Sequence, residues 1–73
     1  MSLVEIAKIY VDLVMAEREI PEEEYHAKDQ INALRTKYHE VLMIKMKEEG
    51  VDFSDRFDAT NKAFEIVKEK ASF

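Results

Sequence analysis

Glu23-Glu24-Tyr25-His26 sets a carboxylate and an imidazole three residues apart, a spacing that lets one helical face offer two metal ligands. Glu19, Glu22 and Glu24 add to the crowd of acids beside His26. A dinuclear metal centre in a helical bundle needs two such Glu-x-x-His pairs on facing helices, with further inward glutamates. This chain has one. On a helical projection His26 falls well away from the apolar stripe of its own helix, so its ring is expected to meet water. The glutamates directly follow Pro21, where negative charge complements the positive end of a helix dipole. Residues 19–26 are therefore read as a helix start, and no metal or other cofactor is expected.

Two acidic pairs invite a different chemistry. Glu19-x-x-Glu22 followed by Glu49-x-x-Asp52 resembles the acidic spacing of the all-α nucleotide pyrophosphatases, in which such pairs hold magnesium. The resemblance implies magnesium held by such pairs, and the wider alternative reading is a small metal-dependent all-α enzyme using Glu22, Glu23, His26 or Glu49. The resemblance covers four residues, and Pro21 splits one pair and Gly50 the other, whereas ligand pairs must share a helical face. The chain is not assigned to the family. His39-Glu40 reads as an ordinary surface imidazole near carboxylates. There is no cysteine, and Ser2, Ser54, Ser72, Thr36 and Thr60 have capping, terminal or helix-surface roles. A single glycine excludes the usual phosphate-cradling loops. No catalytic residue is assigned, and the expectation is that the protein is not an enzyme.

One glycine and one proline are the only punctuation in 73 residues, and they divide the chain into three helices of a single domain, residues 1–73. Ser2 and Glu5 form a capping-box pattern opening a helix over 3–19. Pro21 starts the second, over 21–49, and Gly50 ends it, with Val51 able to fold back on the last turn. Asp52 or Ser54 caps the third, over 53–70. Helix 2 carries apolar side chains at Ala27, Ile31, Leu34, Tyr38, Val41 and Leu42. Helix 3 carries Phe53, Phe57, Thr60, Phe64, Val67 and Ala71 at similar spacing. Both stripes are narrow, suited to one neighbour.

Helix 1 is apolar over most of its circumference, with only Glu5, Lys8, Asp12 and Glu19 as a consistent polar strip. Such a helix is expected to be buried on nearly all sides, and helices 2 and 3 can cover only one side of it. The expected fold is an all-α antiparallel helical bundle with some coiled-coil character, completed by dimerisation. Leu3, Val4, Ile9, Val11 and Met15 are the expected dimer contacts. Met43, Ile44 and Met46, within "VLMIKMK", form a candidate surface for another protein, because methionine adapts to irregular partners.

Composition narrows the partners. With 47% apolar and 37% charged residues, the chain is too apolar to remain disordered. Of the net charge of −5, the first 24 residues carry all the excess, with seven acids against Lys8 and Arg18. Without a basic cluster, nucleic acid and anionic membrane are not expected partners. The apolar start lacks a basic leader and is interrupted by Glu5, Lys8 and Asp12, so neither a signal peptide nor a membrane span is expected. Lack of cysteine suits the cytoplasm. The favoured reading is a small non-enzymatic homodimer that binds another protein and acts as an interaction or regulatory module. The alternatives are the metal-dependent enzyme above and an acidic antagonist that mimics nucleic acid in the groove of a basic protein.

Overall fold

The computed structural model describes residues 1–71, with side chains through residue 69. Three helices pack together: α1 (Leu3–Glu19), α2 (Tyr25–Glu48) and α3 (Arg56–Ala71). There is no strand among the described residues.

Local chemistry sets each boundary. At α1 the capping box forms as expected: Ser2 Oγ accepts from the Glu5 N–H at 3.1 Å, and Glu5 Oε1 accepts from the Ser2 N–H at 3.5 Å. α1 ends at Ile20, which is extended (φ −77°, ψ 126°) because a residue preceding proline is pushed out of the helical region. Helix 2 starts four residues later than the expected Pro21. The Glu24 N–H donates to the Pro21 carbonyl at 3.0 Å, closing a separate turn, and Glu24 itself has non-helical angles. Reversing the chain between α1 and α2 consumes those residues. The three glutamates thus precede α2, and its first turn holds no acid.

The far end of α2 follows the glycine logic. Gly50 has φ +72°, the Val51 N–H donates to the Met46 carbonyl at 2.8 Å, and the Gly50 N–H donates to that of Lys47 at 3.3 Å. These are the paired bonds of a Schellman cap. α3 starts at Arg56 rather than residue 53. Its cap is neither Asp52 nor Ser54 but Asp55, whose Oδ1 accepts from the Asp58 N–H at 2.8 Å, while Asp58 Oδ2 accepts from the Ser54 N–H at 2.8 Å. Phe53 is left before the helix, half-buried against the core with Lys47 Nζ 6.0 Å from its ring centre.

The core is small. Leu3, Ile6, Ala7 and Tyr10 of α1 meet Leu42 and Met46 of α2 and Ala59 and Ala63 of α3. Fully buried alanines at 7, 59 and 63 let α1 and α3 approach closely. Tyr10, Leu42 and Met46 supply the bulk, each contributing about 1.5–3 kcal/mol on burial. α1 and α2 run in opposite directions: Glu17 meets Arg35 at 3.1 Å, Tyr10 stacks on His39 with ring centres 5.3 Å apart, and Leu3 lines a groove with Glu49 and Val51. α3 turns Thr60 toward Tyr10 and Phe64 toward Arg18, yet Ile66 and Glu69 lie beside Ser2 and Val4. Contacts reaching both ends of α1 from different faces of α3 mean that α3 lies across α1.

Candidate interaction surface

The contacts above fix which flank of each helix is covered. On α1, Glu17 and Tyr10 face α2, while Arg18 and Val4 lie on the α3 side. On α2, Arg35 faces α1, and His39 and Glu40 bond to Arg56 of α3. Stepping ~100° per residue from these fixed points places Ile9, Leu13 and Ala16 on the flank of α1 away from α3. It places Leu34, Tyr38 and Val41 on the matching flank of α2. One side of the α1–α2 pair is covered by α3, and the opposite side is an apolar face that no other described element covers. Leu34 and Val41 are each 43% exposed. Ile9, Leu13, Ile20 and Ile31 are half-buried without belonging to the core or packing on it.

The expected core stripe of α2 therefore serves the core only in part. Ala27, Ile31, Leu34 and Val41 run along the open flank, Tyr38 packs on the core from its edge, and Leu42 is buried as expected, with burial extending to His39 and Met46. His39 corrects the surface reading most sharply. It is 6% exposed, packed on Tyr10, with Nε2 3.0 Å from the Arg56 carbonyl. The signal was its helical spacing to Leu42, Met43 and Met46, which share its face of α2. Phe57, placed in the expected stripe of helix 3, is 81% exposed, and burial passes to Ala59 and Ala63. The side chain of Ala71, the last of that stripe, lies outside the described residues.

Of the expected dimer contacts, Ile9 lies on the open face. Leu3 is in the core at 7% exposure. Val4 and Val11 are half-buried on the α3 flank, Val11 packing on the core, and Met15 is exposed beyond them, its sulfur 3.7 Å from Arg18. The candidate partner patch separates similarly: Met46 is fully buried, Met43 packs on the core, and Ile44 alone stays open at 58% exposure. Leu13, Leu34 and Val41 belong to the face without having been singled out for it. The signal was present in the 3–4 spacing of Ile31, Leu34, Tyr38 and Val41, a coiled-coil seam.

Polar contacts anchor the edges. Glu17 bridges to α2, accepting from Arg35 at 3.1 Å and Asn32 at 3.3 Å. Burial works against the Arg35 charge, but Glu17 and Tyr10 more than offset it, so its pKa lies above the ordinary arginine value. The residues first considered for metal chemistry are dispersed: Glu23 and His26 are exposed, Glu22 pairs with Lys28 at 3.2 Å, and Glu49 with Lys45 at 3.6 Å. Among the described residues no three histidine or acidic side chains gather where they could hold a metal ion. No helix among them is long and apolar enough to cross a membrane.

No protein-family model matches the chain, and no curated protein or solved structure is significantly similar to it.

Proposed function

We propose that the protein is a small non-enzymatic interaction module that pairs with a second copy of itself through the open α1–α2 face and binds another protein. The observation carrying this is the uncovered row formed by Ile9, Leu13, Leu34 and Val41. The molecule's accessible surface is large enough to leave room for an occupant, and the face's self-complementarity favours a second copy. The surface is 5269 Å², against about 4,700 Å² for a folded monomer of 8.6 kDa. The excess of roughly 600 Å² approaches the ~800 Å² that each partner buries in an interface of standard size.

A face shared by two antiparallel helices is well suited to a two-fold axis, because the same patch can meet itself and close the assembly. The result is a bundle centred on four helices, with α3 of each copy on the outside. Ile44, exposed and pointing outward from α2, then remains for a partner protein.

The mode of pairing is testable by isotope-filtered NMR on a mixture of labelled and unlabelled chains. Intermolecular contacts between the methyl groups of Ile9 or Leu13 and those of Leu34 or Val41 are expected. Intermolecular contacts confined to Met15 and Val4 would move the interface to the α3 flank and defeat this arrangement.

A further inference from the structure

We infer that the cavity between α1, α2 and the start of α3 binds a small oxyanion ligand, a carboxylate or phosphate ester that also carries an apolar ring. The chain has three arginines, at 18, 35 and 56. Each comes from a different helix, and all three line this one cavity of about 480 Å³. That volume falls in the range of small-molecule sites. No lysine lines it. Since Arg is the residue whose planar fork matches carboxylate and phosphate oxygens, the gathering has a chemical meaning that a general surplus of positive charge would lack.

The three are also placed differently. Arg35 is held by Glu17 and Arg56 by Glu40, each pair at 3.1 Å, so both are oriented while keeping further N–H donors. Arg18 has no carboxylate partner among the described residues. It rests on the Met15 sulfur and over the Phe64 ring, 5.9 Å from its centre. Glu17 is the single acid lining the cavity, so in a protein of net charge −5 this concavity is locally cationic. His39 lines it too, 6% exposed with Nδ1 buried and unpartnered. Phe57, 81% exposed at the rim, offers an apolar surface for a ring.

The site lies on the α3 side of the α1–α2 pair, opposite the face assigned to pairing, so it stands or falls independently of dimerisation. The test is an amide-resolved NMR titration of the full chain at fixed ionic strength with phenyl phosphate, phenylacetate, inorganic phosphate and benzyl alcohol. Saturable shifts centred on His39, Phe57 and Thr60 are expected with phenyl phosphate or phenylacetate, and whichever saturates at lower concentration identifies the oxyanion. Arg18→Gln should weaken that binding at least tenfold with an unchanged melting temperature, since Arg18 is exposed, and Arg18→Lys less. Phe57→Ala should weaken the aromatic probe while leaving inorganic phosphate unaffected. The inference is overturned if neither aromatic oxyanion saturates by 10 mM, if benzyl alcohol binds as well as they do, or if Arg18→Gln leaves their affinity unchanged.

Discussion

Gly50 is the clearest case of one residue dictating backbone geometry. Its φ of +72° is disfavoured for any side chain, yet a Cβ there would meet nothing within 4 Å. Gly50→Ala should therefore cost on the order of 1 kcal/mol through conformation alone, measured as a lowered urea midpoint with an unchanged m value. An unaltered midpoint would mean that the Schellman cap contributes nothing. Met46 makes the opposite argument, from packing. It is fully buried among core side chains, so Met46→Ala should cost about 2–5 kcal/mol. For so small a domain that is enough to lose cooperative melting near room temperature. Gly50 was legible in the chain because its role is local. Met46 was not, because flanking Ile44 and Met43 are equally apolar and only the neighbours supplied by α1 and α3 choose among them.

At the scale of elements, α1 was readable to the residue because Ser2 and Glu5 cap it within one turn and Pro21 bars its continuation. The starts of α2 and α3 were displaced by four and three residues. At α2 a separate turn closed on Pro21 delays the start and no side chain caps it, whereas at α3 Asp55 takes the cap from Asp52 and Ser54. Asp58 shows how α3 settles this. The Ser54 N–H, assisted by Lys62 at 3.7 Å, holds its carboxyl below the ordinary aspartate range despite some opposing desolvation. A carboxyl with a lowered folded pKa adds stability above its unfolded pKa and loses it as pH falls through the folded value. Asp58→Asn keeps an acceptor for the Ser54 N–H but no charge. The variant should melt below wild type at neutral pH, and the gap should close as pH drops below the ordinary aspartate range. A gap constant from pH 7 to pH 2.5 would assign the loss to geometry rather than charge. The expected core stripe of α2 held only at Tyr38 and Leu42, for a related reason. Its 3–4 periodicity was real, but two partners competed for one helix, and α1 and α3 took the sector of His39, Leu42 and Met46.

For the whole molecule, the same rotation turns an apparent misreading into the argument for assembly. A seam that does not face its own core is left to face something else, and the excess apolar character of α1 continues it across Ile9 and Leu13. Val11 is a poor place to test this, because it packs on the core and a charge there would unfold the chain regardless of its oligomeric state. Leu34 and Val41 are better: each is 43% exposed, and neither is part of the core or packed on it. The most direct measurement is sedimentation equilibrium of the wild-type chain and of Leu34→Glu and Val41→Glu at micromolar concentration, with helicity followed on the same samples. The account predicts a wild-type mass of twice 8.6 kDa, falling to the single-chain mass in both variants while the helical signal persists. A well-folded wild type of single-chain mass, or variants that remain dimeric, would contradict it.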